Sequence, residues 1–325
     1  MINPDEITDI GLGTWVLGKF MWKGETEPEQ VIETSLDGGI NLIDTAPVYG
    51  KGTSEKIVGQ ALEQTGSRED VFLATKCGLE WERDSVWRNS RPEHLKRELQ
   101  DSLERLGVDC IDLYQVHWPD HDVPFDETVQ LLEQFRDDGL IRYIGLSNFD
   151  VEEIKQAQKG GTIDFLQPPY NLFEHKAEEQ LLPFCNEHGI RTLVYGALCR
   201  GLLTGKYEDP DDIQLEEGDI RNHDPKFTDR KEEYVEAVQT IKQYLLEQGH
   251  KEDMAPLMLR WTANQTGVST ALVGARNQQQ AKSNSMALYT SLTEEEMKEI
   301  RRIADEVIKQ PVGPEFMSPP EEEAS

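Results

Sequence analysis

Apolar residues along this chain fall into two alternating rhythms. Short, nearly continuous apolar runs read as buried strands: INLID (40–44), VFLATK (71–76), IDLYQVH (111–117), IRYIGLSN (141–148), DFLQ (164–167), RTLVYG (191–196) and TALVG (270–274). Between them apolar positions recur at the spacing of a helix with one buried face. The clearest case sets Leu95, Leu99, Leu103 and Leu106 on one stripe, with Ser90 and Glu93 as a capping box at its start and Gly107 at its end. Thr26 and Glu29 predict a second capping box, with Pro28 in the first turn and Gly38-Gly39 as the stop. Further helices are predicted over 53–64, from about 125 to 138 with Gly139 closing it, and over 150–158, 177–188, 231–248, 252–266, 277–287 and 293–309.

A short first strand near Ile10–Gly13 completes eight strand–helix units. Strands separated by helices pair in parallel, and eight of them close into an α/β (β/α)8 TIM barrel. No linker or shift in composition divides the chain, so residues 1–325 read as a single barrel domain. An irregular acidic loop (208–226) is inserted after the seventh strand, and an extra helix and a partly irregular tail (310–325) follow the eighth unit. A doubly wound open sheet fits the length too, but no G-x-G-x-x-G opens the first helix.

Composition narrows the function classes. No apolar run approaches the length of a membrane span, and the N-terminus has neither the basic nor the apolar segment of a secretory leader, which predicts a cytoplasmic protein. Cys77, Cys110, Cys185 and Cys199 are scattered without a C-x-x-C pair, the pattern of reduced thiols and not of a structural zinc. Sixty-two acidic against 33 basic residues give a formal charge of −29, which argues against nucleic acid or an anionic membrane as partner. The acids are spread over the chain, consistent with an acidic surface adapted to a high-salt (halophilic) cytoplasm. Any anionic cofactor must then find a local island of basic residues.

In a parallel barrel, chemistry gathers where strands end. The residues there are Asp44, Lys76, His117, Ser147 with Asn148, Gln167, Tyr195, and Gly274-Ala275-Arg276, with Tyr49 in the loop after Asp44. A carboxylate beside Lys76 would hold it charged. A fixed ammonium beside a phenol would lower the phenol's pKa from about 10, so that Tyr49 donates a proton near neutral pH. His117 would orient a substrate oxygen or share the proton at lower pH. The set reads as proton delivery to a carbonyl oxygen. It lacks a nucleophile, and hydride from a nicotinamide is the economical complement. Asp44 and His117 could instead ligate a metal in a barrel hydrolase, but there is no H-x-H or H-E-x-x-H, and Lys76 disfavours a nearby cation.

DTAPVYGKGTSE, LATK, YQVHWPD, IGLSNF, QPPYNLFE and GLLTGK occur in this order between about residues 8 and 320. This ordered set resembles the aldo-keto reductases, barrels that bind a nicotinamide cofactor without a Rossmann motif. YGALCRGLLTGKY, RNHDPKF and the tail PVGPEFMSPP are most similar to the family's bacterial general-stress branch. The resemblance implies NADP(H) as preferred cofactor, with NAD(H) possible, and a small carbonyl compound as substrate. Tyr49 would be the general acid, Lys76 its activator, Asp44 the partner of Lys76, and His117 the orienting residue. Ser147, Asn148 and Gln167 would hold the nicotinamide carboxamide, and Tyr195 would stack on the ring. Gly201, Leu203, Gly205 and Lys206 of GLLTGK would pass along the pyrophosphate and offer backbone N–H groups. Arg276 would grip the 2′-phosphate, with Gln280 and Asn284 at the adenine ribose. Gly196 stands where many relatives carry Ser. Gly274 stands where another branch carries a phosphate-binding Lys, which throws more weight on Arg276.

Trp22 and Trp118 are the candidate substrate-pocket aromatics, with specificity placed in loops 17–25, 79–90 and 208–226. Arg221 and His223 leave sugars or anionic substrates open, and the acidic insertion is expected to fold over the cofactor. Some members of the family bind nucleotide as redox-sensing subunits of membrane channels, but no basic face suits that role here. Relatives of this branch suggest a monomer or weak dimer.

Overall fold

Eight parallel strands close on themselves in the computed structural model, which describes residues 1–18, 26–251 and 253–321. In chain order the elements are β1 (Ile10–Gly13), α1 (Pro28–Asp37), β2 (Leu42–Asp44), α2 (Thr53–Thr65), β3 (Phe72–Cys77), β4 (Leu79–Glu82), β5 (Ser85–Arg88), α3 (Pro92–Leu106), β6 (Ile111–Val116), α4 (Phe125–Asp137), β7 (Ile141–Ser147), α5 (Val151–Ala157), β8 (Phe165–Gln167), α6 (Leu181–His188), β9 (Arg191–Val194), α7 (Lys231–Glu247), α8 (Met254–Ala263), β10 (Thr270–Val273), α9 (Gln278–Ser285) and α10 (Glu294–Val307). The ring runs β1-β10-β9-β8-β7-β6-β3-β2, and β4 and β5 form a separate antiparallel hairpin. The predicted α/β barrel is therefore the fold.

Alternation along each strand sorts side chains between two cores. One set turns inward, where Leu42, Phe72, Ala74, Leu113, Phe165, Leu193 and Leu272 fill the lower interior and Ile2, Ile7 and Tyr143 pack against them. The opposite parity, including Ile43, Leu73, Tyr114, Ile144, Leu166 and Val194, packs under the helices. Leu95, Leu99, Leu103 and Leu106 all lie in this outer core, as their spacing predicts.

Three local expectations change. Thr26 does not cap α1. The cap position is Glu27, whose N–H donates to Arg276 O (2.8 Å) and whose carboxylate accepts from the N–H of Gln278 (3.0 Å), so this helix start is tied to the loop after β10. Ser90 does not cap α3. The helix starts at Pro92, and the Ser90 N–H donates to Asp120 Oδ2 (2.7 Å). The segment 79–90, read as a loop, folds into the β4–β5 hairpin with Arg83 at its turn in the left-handed region (φ 50°). Its alternating charged positions hid it from the apolar pattern.

Residues 208–226 carry only short 3-10 turns, and their acids have a local purpose. The turns at Pro210–Asp212, Ile220–His223 and Pro225–Phe227 each begin behind an aspartate whose side chain accepts a backbone N–H two residues on: Asp209 from Asp211, Asp219 from Arg221, and Asp224 from Lys226. Among the described residues no helix is long and apolar enough to cross a membrane.

Candidate active site

The inward parity that fills the lower barrel with apolar side chains ends, at the top, in a polar layer. Two residues above Leu42, Ala74, Leu113 and Phe165 come Asp44, Lys76, Gln115 and Gln167, all buried. Asp44 is the hub. Lys76 Nζ donates to Asp44 Oδ1 (2.5 Å) and to Thr45 O (3.1 Å), while Gln115 Nε2 (3.1 Å) and Gln167 Nε2 (2.9 Å) both donate to Asp44 Oδ2. Gln115 can lie across the barrel because position 145 is glycine, where an added Cβ would stand 2.7 Å from Gln115 Cγ. Sequence reasoning missed Gln115, though its two-residue offset from Leu113 signals an inward position.

Tyr49 hangs above this layer. Its loop presses against the loop after β1 at Gly18 and Gly50; Gly50 has φ +64°, and a Cβ there would meet Gly18 O at 2.2 Å. That contact brings the phenol over Lys76, whose Nζ donates to the Tyr49 hydroxyl at 3.2 Å. The His117 ring stands edge-on to Tyr49 (centroids 5.8 Å, 80°). Asp44, Lys76, Tyr49 and His117 thus meet as predicted.

Their electrostatics depart from expectation. The phenol of Tyr49 is raised well above its ordinary value, by burial first and then by the charge of Asp44. Lys76 does not lower it, because Asp44 at 2.5 Å offsets the ammonium, and burial itself pulls Lys76 down against Asp44. His117 lies well below its usual value, through burial and then the charge of Lys76, which favours the neutral imidazole. Both shifts keep a protonated phenol beside a neutral imidazole, the state a proton donor needs.

A cavity of about 1090 Å³ opens from this centre. It is lined by Asp44, Tyr49, His117 and Trp118, by Ser147, Asn148, Gln167 and Tyr195, and further out by Gly201, Gly205, Lys206, Gly274, Arg276, Gln280 and Asn284. Lys76 lies just beneath its floor. Asn148, in the left-handed region (φ 65°), donates to His117 O (2.9 Å) and Ser147 Oγ (3.1 Å) and accepts from the hydroxyl of Tyr195 (2.8 Å). Ser147 Oγ donates to Gln167 O (2.9 Å). At the far end the N–H of Arg276 donates to Gln280 Oε1 (2.9 Å) and Asn284 Nδ2 to Gly274 O (3.2 Å).

Several assignments need correction. Leu203 does not reach the cavity: its side chain is buried and its N–H donates to Leu198 O (3.2 Å). The N–H groups of Gly201 and Gly205 are likewise directed to Leu198 O and Leu202 O, so the predicted backbone donors are engaged within the segment itself. Arg221 does line the cavity, but its guanidinium forks onto Asp219 (2.6 and 2.9 Å), while His223 is exposed away from it. Trp22 lies within 19–25, outside the described residues. Trp15, whose ring centroid is 6.3 Å from that of Tyr49, lines the cavity with Leu79 and Val86 of the 79–90 segment, and so do the tail residues Phe316–Pro320, which the sequence did not single out. Arg200 was missed too. It bridges buried Glu174 and Asp224, and Lys226 Nζ contacts the same two carboxylates (2.9 and 3.1 Å), which ties the insertion to the loops after β8 and β9.

Among the described residues no group of three or more His, Cys, Asp or Glu is gathered to hold a metal ion. In comparisons with known proteins, the model of the aldo/keto reductase family matches residues 9–305. The aldo-keto reductase YhdN of Bacillus subtilis is 44% identical over 98% of this chain and 96% of its own length. An NADH-specific methylglyoxal reductase of Escherichia coli is 34% identical over 92% of this chain and 95% of its own. The structure of the glycerol dehydrogenase AKR11B4 from Gluconobacter oxydans superposes with a TM-score of 0.85 at 39% identity, covering 96% of both chains. With its closed barrel and its buried Asp44–Lys76–Tyr49 centre, this chain belongs to the aldo/keto reductase family.

Proposed function

We propose that this protein reduces small, uncharged aldehydes and ketones with NADPH, and that Tyr49 protonates the carbonyl oxygen. The observation that carries this reading is one continuous cavity with the Asp44–Lys76–Tyr49–His117 centre at one end and a basic group at the other, formed by Lys206, Lys242 and Arg276. In a chain of net charge −29 such an island fits a phosphorylated dinucleotide. When bound, the nicotinamide supplies hydride; Ser147, Asn148, Gln167 and Tyr195 would orient its ring, and Gly201 and Gly205 would allow the backbone close to the pyrophosphate. His117 would direct the carbonyl oxygen toward Tyr49. Trp15, Val48, Leu79, Val86 and Trp118 make the carbonyl end apolar, which supports neutral substrates of the kind named for the relatives, such as methylglyoxal. Steady-state reduction of methylglyoxal with NADPH tests the reading, and failure with a panel of aldehydes and ketones overturns it.

Arg276 is assigned to the 2′-phosphate, with Gln280 and Asn284 at the ribose. Arg276→Ala is expected to weaken NADPH by a few kcal/mol at most and leave NADH unchanged, since only a charge-assisted bond is removed. Fluorescence titration with both nucleotides decides it. An equal loss for both shows that Arg276 does not read the phosphate.

We also place the protein in the cytoplasm, as a monomer or weak dimer whose acidic surface suits high salt. Support comes from four unpaired cysteines and the charge of −29. Screening of self-repulsion should raise the melting temperature between 0.1 and 2 M KCl, with sedimentation showing no large assembly in either. A melting temperature independent of salt would remove the halophilic reading.

A further inference from the structure

Residues 310–321 run across the mouth of the barrel with little secondary structure of their own. At the near end the Val312 N–H donates to the Tyr234 hydroxyl (3.1 Å) and Lys226 Nζ donates to Val312 O (2.9 Å). At the far end one side chain dominates. Arg88, the last residue of β5, donates from Nη2 to Ser318 Oγ (2.8 Å), from Nε to Pro319 O (3.2 Å), and from Nη1 to Glu321 Oε1 (3.0 Å) and Pro119 O (2.7 Å). Its backbone N–H donates to Pro320 O (3.1 Å). Between the two ends, Phe316–Pro320 line the cavity on the same side as Trp118, while Arg88 itself does not line it.

The chemistry of the tail explains why an arginine is needed. Pro319 and Pro320 have no N–H, so this stretch cannot join a ladder and offers its partners mainly carbonyl oxygens. A planar guanidinium with five donors can bind several such oxygens at once, whereas a lysine presents a point charge. Arg88 is nine-tenths buried and its guanidinium lies 5.6 Å from the centre of the Trp118 ring, so it is held from behind by the aromatic that flanks His117.

We propose that Arg88 is a positioning residue for specificity: it pins residues 318–321 so that Phe316–Pro320 form a fixed wall of the carbonyl pocket. This rests on the reading of the Tyr49 end as the carbonyl site.

The test uses the full chain as wild type, Arg88→Met, Arg88→Lys, the tail-side pair Ser318→Ala with Glu321→Ala, and the tail-side pair combined with Arg88→Met. Arg88→Met should raise KM for methylglyoxal by about tenfold with kcat within about twofold and NADPH affinity unchanged, the signature of lost uniform binding. Arg88→Lys should recover part of that loss. Adding the tail-side pair to Arg88→Met should cost nothing more, because the wall is already released. Hydrogen exchange over 310–321 should quicken in Arg88→Met with or without substrate. Unchanged exchange, an unchanged KM, or losses that multiply in the combined variant would each overturn the clamp, the last by showing that the tail is held independently of Arg88, as through the contact of Glu321 with His121 Nδ1 (2.5 Å). If the wild type reduces no carbonyl, the reductase reading fails instead, and the exchange arm still decides whether Arg88 holds the tail.

Discussion

Tyr49→Phe should lower turnover by about 10²–10⁴-fold, the usual worth of a positioned general acid, while NADPH binds within about twofold of its wild-type affinity. The phenylalanine keeps the ring that packs near Trp15 and His117, so the change removes one hydroxyl and little else. That hydroxyl faces Lys76 Nζ at 3.2 Å and the carbonyl end of the cavity, not the basic end assigned to the phosphates. Its interaction is with charge that develops only as hydride arrives, so the loss should fall on kcat and not on cofactor binding. Single-turnover oxidation of bound NADPH by methylglyoxal measures it directly. If that rate is unchanged in Tyr49→Phe, another group delivers the proton.

Lys76→Met should be the most damaging single change, because it strikes stability and turnover together. Asp44 is buried and keeps its two amide donors in the variant but loses its ammonium partner at 2.5 Å. Breaking a buried pair from one side costs about 3–5 kcal/mol, since a charge is left without compensation. The stranded carboxylate would then hold its proton to higher pH in the folded than in the unfolded state. Such a group favours folding fully below its unfolded pKa of about 3.9 and loses that contribution as pH rises through the folded value. The deficit against wild type should therefore be largest near neutral pH and shrink toward pH 4. Urea unfolding at pH 7 and pH 4.5 tests this, and a deficit independent of pH would show that lost packing, not the stranded charge, is responsible. Asp44→Asn added to Lys76→Met should restore part of the stability and none of the turnover.

Much of this was legible in the chain because barrel strands write their orientation into a two-residue alternation. Asp44, Lys76, His117 and Gln167 sit at strand ends, where a polar residue interrupts an apolar run and stands out. Gln115 obeys the same parity and, like Lys76, is the last residue but one of its strand, but a neutral amide in an apolar run reads as tolerated polarity, whereas a buried ammonium demands a partner. The helix starts were misread for a different reason. A capping box is a local pattern, while Glu27 and Ser90 take their partners from Gln278 and Asp120, which local spacing cannot reveal. The same holds for the tail: Arg88 and Glu321 are 233 residues apart, and neither has a neighbour that hints at the other. Tyr49's shift was misjudged in sign because spacing shows that an ammonium and a carboxylate are near, but not how completely one cancels the other.

The hairpin β4–β5 and the tail share a property with a consequence for how such enzymes diversify. Among the described residues neither supplies a strand to the closed ring, yet both line the cavity that opens above Asp44 and Tyr49. Residues can be gained or lost at the hairpin turn or at the terminus without disturbing barrel closure or the Asp44 hub. Substrate range can thus drift by insertion and deletion at two places on the rim, while the reaction itself is inherited intact from the interior.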